Sequence, residues 1–348
     1  MLLIMSSPAT TLAAPEGPSA PHARAWLGIS VMALIIGTIF VAVYVGVQRS
    51  PTPRHLPLAV SSQLASAAEK GWGDEATVTA VSSTAAGERL VREGRAVGVL
   101  APGTSTDLQF DYAGAKGLSE TAAARALVKG FASQAGVTVA EKDIVPLVEY
   151  DSRGLVSFYV SFGVTLSSFV LAQGLTGAAS RIRLRHRLYA IGGFAVVIGS
   201  IAATIAGPVY ETLPAPWILL ATTLALLSAA VAFSTKALAM WLGAPGIGLA
   251  VLLMTTVGNA ISGATIGFDI LPAWAQFLSP VLPPGAAVRA LNDLGYFTAS
   301  GSWSSLVVLL LWAGAGFALV LVEAARRPKV AHVPAHRSTA PPVAEVVA

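Results

Sequence analysis

The sequence predicts an α-helical polytopic membrane protein with six transmembrane helices, arranged one and then five, and an extracytoplasmic α/β domain inserted between the first and second. Three observations carry this prediction. The 348 residues are 54% hydrophobic and only 11% charged, against about 25% charged in an ordinary soluble domain. Six apolar runs are long enough to cross a hydrocarbon core of about 30 Å. Charge returns in one block of roughly a hundred residues, between the first run and the second.

The elements follow in order. Residues 1–24 are rich in Pro, Ala and Ser and are expected to form a disordered cytoplasmic N-terminus. Met1–Met5 is too short for a signal-peptide core and lacks a basic start, so no cleaved leader is expected. The first span occupies 25–47, with Trp26 and Tyr44 near the two interfaces, where amphipathic rings sit. The extracytoplasmic domain occupies 48–153. Five spans fill 154–324: Gly154–Gly177, Leu188–Pro208, Trp217–Thr235, Pro245–Ser262 and Trp303–Val322. Residues 325–348 are Pro-, Val- and Ala-rich and read as a disordered cytoplasmic tail.

Lys and Arg set the orientation. With the N-terminus inside, Arg24, Arg181, Arg183, Arg185, Arg187, Lys236, Arg326, Arg327, Lys329 and Arg337 all fall on the cytoplasmic side. The short outer connections hold only Arg289, beside Glu211, Asp269 and Asp293. Both termini are therefore expected inside a multi-pass plasma-membrane protein, with the bilayer as first partner. The net charge of +4 is then a topology signal, and no nucleic-acid partner is expected.

The inserted block, from Arg49 to Asp151, carries 12 of the 18 acidic residues and 10 of the 22 basic ones. "LPLAV", "ATVTAV", "AVGVLAP" and "IVPLVEY" read as strands. "TDLQFDY" alternates, with Leu108, Phe110 and Tyr112 on one face and Asp107, Gln109 and Asp111 on the other. "TAAGERLVREGR" reads as a helix with Glu88–Arg92 and Arg89–Glu93 pairs. Residues 119–135 read as another, with Ser119 as N-cap.

Several chemistries have no support. There is no cysteine, hence no thiolate catalysis, disulfide or Cys-held metal. No phosphate-binding P-loop, G-x-S-x-G elbow or H-E-x-x-H helix occurs. His22, His55, His186, His332 and His336 are scattered. No catalytic residue, metal ligand or cofactor is expected in this chain. The spans hold no ionisable residue at mid-depth, which disfavours an ion-coupled carrier. Lys236 and Glu323 fall near cytoplasmic ends, where they are expected to snorkel.

Small residues form stripes instead. Gly192, Gly199 and Ala206 are seven apart, flanked by Ala195 and Ala202. Ser157, Ser161, Thr165 and Ser168 share a face of the second span. Close helix packing is the expected role; a polar-lined path is the alternative. The basic loop Ser180–Tyr189 is either a topology determinant touching anionic lipid or a docking surface for a cytoplasmic partner.

The connection Val257–Phe297 resembles the hallmark segment of ABC-2-type membrane permeases, in the branch that includes phage-infection-protein-like proteins. A Gly-Asn-x-x-Ser-Gly turn is present as Gly258, Asn259, Ser262 and Gly263. A Leu-Pro opens a short helix at Leu271 and Pro272, with Trp274 and Phe277 following. A Leu-Pro-x-Gly-Ala break falls at Leu282, Pro283, Gly285 and Ala286, and a second short helix ends in Tyr296 and Phe297. Leu90–Gly103 and Leu242–Ala250 are similar to further stretches of the family. One departure is Ala260, where the family usually has Pro.

The resemblance implies interfacial helices at 268–297, with Trp274, Phe277, Tyr296 and Phe297 at headgroup level. It also implies an export permease working as a homodimer or with a related permease subunit. ATP would enter only through a separate cytoplasmic ABC ATPase, received by Arg181, Arg183, Arg185 and Arg187. Spans without buried charge suit a hydrophobic or amphipathic substrate. The alternative is an ATPase-independent, membrane-anchored binding, assembly or receptor protein that works through its outer domain.

Overall fold

The computed structural model describes residues 20–49, 52–103, 107–298 and 301–326. The expected disorder of 1–19 and 327–348 lies outside the described residues. The chain begins with α1 (Ala20–Gln48) and enters an α/β unit: β1 (Leu56–Ser61), α2 (Ala65–Trp72), β2 (Ala76–Val81), α3 (Thr84–Arg92), β3 (Gly98–Pro102), β4 (Leu108–Tyr112), α4 (Leu118–Ala135) and β5 (Val139–Asp143). Long helices follow: α5 (Val156–Gly177), α6 (Leu184–Thr204) and α7 (Trp217–Leu242). Then come α8 (Ala244–Ala250), α9 (Gly258–Ala260), α10 (Ala273–Leu278), α11 (Pro283–Tyr296) and α12 (Ser302–Arg326).

Among the described residues, five helices are long and apolar enough to cross a membrane. They lie at Ser30–Gln48, Val156–Gly177, Leu184–Val209, Trp217–Leu242 and Ser302–Arg326. The fifth expected span, Pro245–Ser262, falls on a shorter apolar helix, Ala244–Ala260. Between α8 and α9 it widens into a π-helix over Val251–Val257. At about 1.5 Å per residue its 17 positions rise about 25 Å.

The helix α7 is the hub. Its Leu220, Leu224, Leu227 and Val231 meet Val164 of α5, Ala203 of α6, Ala286, Ala287 and Leu291 of α11 and Leu309 of α12. The small-residue stripes explain the close approach. A Cβ on Gly199 would lie 2.6 Å from the Ala225 amide nitrogen, and one on Gly316 would lie 2.7 Å from that of Ser234. A Cβ on Gly192 would meet open space, so only part of that stripe is a contact.

Helix boundaries differ from expectation at three places. The helix α1 begins at Ala20, inside the segment expected to be disordered. The helix α6 begins at Leu184, so Arg185 and Arg187 are helical rather than in a loop. Because α7 continues to Leu242, Lys236 is one of its buried side chains and does not snorkel. Its Nζ lies 3.3 Å from Thr176 Oγ1 on α5. Packing between helices overrides the tendency of a lysine to reach water.

In the α/β unit the strand order is β2-β1-β3-β4-β5. Only β3 and β4 run antiparallel. One face packs Leu58, Val60, Leu100 and Phe110 beneath Trp72 of α2 and Ala124 and Val128 of α4. The other packs Ala59, Val81 and Val99 against Val91 of α3. Both faces are therefore covered, and Asp111, on the expected polar face, is buried.

The last strand is Val139–Asp143, not Ile144–Tyr150. After α4 stops at Gly136, which has φ +69, Val139 pairs at once with Leu108, and the ladder ends at Asp143. Pro146 has no N–H to extend it. Ile144, Val145 and Leu147 instead pack into the second core. Gly117, with φ +93, takes the N-cap position expected of Ser119. The Glu88–Arg92 pair forms at 3.6 Å. Glu93 meets Arg95 rather than Arg89.

Candidate functional site

Segment 257–297 does not simply lie at an interface. It joins the helix bundle to the α/β unit. Gly258 is required because a Cβ there would sit 2.5 Å from the Leu253 carbonyl and 2.9 Å from Pro284. Asn259 is fully buried, and its Nδ2 donates to the carbonyls of Met254 (2.9 Å) and Thr255 (3.3 Å). These two carbonyls belong to the widened turn, so Asn259 satisfies acceptors that a π-helix leaves loose. Ser262 is buried with its hydroxyl unpartnered. Gly263, at φ +84, turns the chain.

Leu271 is fully buried beside Val47 of α1, and Pro272 precedes α10. Leu282 enters the same cluster, and Pro283 opens α11. A Cβ on Gly285 would run into the Ser279 carbonyl. Trp274 is 47% exposed and Phe277 75%.

Tyr296 and Phe297 correct the expectation. They are not lipid anchors. Both pack against Val91, Ile144, Val145 and Leu147 in the second core of the α/β unit. Phe297 lies against Gly94, where a Cβ would come within 3.0 Å of the ring. Burial pushes the Tyr296 phenol up to about 12. The helix α11 thus has its first turns in the bundle core and its last residues packed against the core of the other unit.

A polar seam accompanies this contact. Glu120 of α4, 2% exposed, accepts the Asp269 amide at 2.9 Å. The Arg54 amide donates to the Asp269 carbonyl at 3.2 Å. Desolvation, with Asp269 close by, pushes the Glu120 carboxyl up to about 7. Burial also raises Asp269 and Asp293 and lowers Arg289. A cavity of about 500 Å³ opens here, its wall including Lys116, Glu120, Ser262, Asp269, Arg289 and Asp293. The link to α5 is also polar. Asp151 Oδ1 accepts the amides of Leu155 (2.9 Å) and Val156 (3.3 Å) at the start of that helix.

The arginines sit far along the chain from this seam. Arg181, Arg183 and Arg185 are exposed around the start of α6, and Arg187 is half-buried. The first turn of α6 holds no acidic residue. Among the described residues, Arg181, Arg183 and Arg185 form no ion pair. Cations at a helix N-terminus oppose its dipole, so this end presents uncompensated positive charge. The hydroxyl stripe of α5 is buried, with Ser168 bonded to Ser228 at 2.7 Å and the Ser157, Ser161 and Thr165 hydroxyls unpartnered.

Sequence reasoning reached the motif positions and the arginines but missed the seam. Its signal was present. Asp269, Arg289 and Asp293 are among the few charges in an otherwise apolar stretch, yet their partner elements lie more than a hundred residues earlier in the chain. Comparison of the chain with protein-family models, curated proteins and solved structures found no match.

Proposed function

We propose that this chain is the membrane permease subunit of an ABC-2-type export system. It moves a hydrophobic or amphipathic substrate outward with energy from a separate cytoplasmic ATPase. On this reading six spans cross the plasma membrane, counting Ala244–Ala260 as a short one, and both termini face the cytoplasm. The α/β unit lies outside, and two such subunits pair. The reading rests on the resemblance of Val257–Phe297 to such permeases, and the observation that carries it is the path of α11. A helix rooted in the bundle core and ending against the core of the α/β unit is suited to carry helix movement from one to the other. A passive anchor needs no such strut. Arg181, Arg183 and Arg185, without ion pairs among the described residues, suit the acidic face of a motor subunit.

The second reading is an ATPase-independent binding, assembly or receptor protein. It is favoured by a groove of about 570 Å³ between the α/β unit and the connecting segment, lined by Trp72, Leu127, Phe131 and Ile270, within the usual range for ligand pockets. The test is purification of the tagged chain from its own membrane in mild detergent. Co-purification of an ABC ATPase near one to one, lost in the Arg183→Glu/Arg185→Glu variant, supports the first reading. A preparation that keeps the chain folded and carries no ATPase removes it in favour of the second.

A further inference from the structure

Seven charged side chains line the seam cavity; Glu93 and Arg95 pair at 3.5 Å and Glu120 accepts the Asp269 amide, which among the described residues leaves four without an ion pair. Arg289 and Lys116 are the cations, Asp269 and Asp293 the carboxylates. Among the described residues neither cation has a carboxylate within ion-pair distance. Each is instead held by a ring, Arg289 over Phe268 at 5.0 Å and Lys116 over Phe297 at 5.4 Å. Arg289 Nη2 is buried without an acceptor. Ser262, only 3% exposed, lines the same cavity with its hydroxyl equally unpartnered.

Buried opposite charges normally close into ion pairs, because nothing else offsets their desolvation. Here each cation lies over a ring instead, and groups of both signs line one cavity. A plain anion entering this space meets Asp269 and Asp293. A plain cation meets Arg289 and Lys116. A molecule carrying both signs satisfies all four. The volume, about 500 Å³, is in the range that takes a small ligand, and Val288, Phe268 and Phe297 supply apolar wall beside the charges.

We propose that the seam cavity binds a zwitterionic group, an oxyanion joined to an ammonium, with the oxyanion on Arg289, Lys116 and Ser262 and the ammonium on Asp269 and Asp293. This chemistry occurs as the phosphoethanolamine head of a lipid and as the same group free in solution. The inference stands on the seam and depends on neither export nor an ATPase.

The test uses the full chain in a non-ionic maltoside detergent, with binding followed by titration calorimetry. The probes are dihexanoyl phosphatidylethanolamine, free phosphoethanolamine, dihexanoyl phosphatidylglycerol and inorganic phosphate. Saturable binding of one or both ethanolamine probes is expected, weakened at least about tenfold by Arg289→Gln and by Asp293→Asn. Binding of the lipid alone assigns the site to a membrane head group. Comparable binding of free phosphoethanolamine assigns it to the group itself. Lys116→Gln, on the α/β unit and away from the bundle, weakens binding in the same direction and serves if Arg289→Gln fails to fold. Phosphatidylglycerol or phosphate binding as tightly as the ethanolamine probes overturns the proposal. So does binding that Asp293→Asn and Lys116→Gln leave unchanged, or no saturable binding of any probe at millimolar concentration.

Discussion

Replacing Glu120 by Gln tests the seam most sharply, because the change is isosteric and its effect has a sign that depends on pH. Glu120 is buried and its Oε1 accepts the Asp269 amide; a glutamine oxygen accepts the same bond. What changes is the charge. Burial first, and then Asp269, raise the carboxyl from 4.5 to about 7. A raised carboxyl binds its proton more tightly in the folded protein. Its contribution to stability is therefore full below 4.5 and is lost as pH rises towards 7.

At about 1.4 kcal/mol per pH unit, roughly 2–3 kcal/mol disappears between pH 5 and pH 8. Glutamine does not titrate, so the variant keeps what the native chain loses. For a unit of about a hundred residues this is roughly 10 °C of midpoint. The assay is thermal unfolding of native and Glu120→Gln chains at both pH values and one scan rate. The variant should be the more stable at pH 8, and its advantage should shrink on going to pH 5. Equal pH dependence in both chains refutes the buried, proton-holding seam.

Other predictions follow from the packing. Gly199→Ala should destabilise the bundle by about 1–3 kcal/mol through overpacking on α7, with Gly192→Ala near neutral, read by detergent-resistant melting. Phe297→Ala should cost about 2–3 kcal/mol by opening a void beside Gly94 and Ile144; faster proteolysis between β5 and α5 reports it, and an unchanged cleavage rate speaks against docking of α11. Asp151→Ala should cost about 1–2 kcal/mol, since it strips the acceptor from the first amides of α5. Amide hydrogen exchange at Leu155 and Val156 should then accelerate.

Much of the fold was legible in the sequence, and the reasons are local. The apolar spans announce themselves by composition, and the strands through Leu56, Ala76 and Phe110 by short hydrophobic runs. Boundaries were less legible because helix ends depend on neighbours. Lys236 reads as a helix terminus only until Thr176 is placed beside it. The exchange of Ile144–Tyr150 for Val139–Asp143 as the last strand has the same origin. Burial of Ile144 and Val145 comes from packing against Tyr296 and Phe297, not from a ladder. Those two aromatics look like interfacial anchors in isolation and become core residues once α11 is docked. The charged seam is the extreme case. Glu120 and Asp269 are 149 positions apart, and no periodicity links them.

The most direct measurement is vanadate-sensitive ATP hydrolysis by the tagged chain purified from its own membrane and placed in lipid nanodiscs. If the chain is such a permease, hydrolysis travels with it and falls sharply in the Arg183→Glu/Arg185→Glu variant. No hydrolysis above background, in a preparation whose α/β unit still shows the pH-dependent melting set by Glu120, would contradict the permease reading.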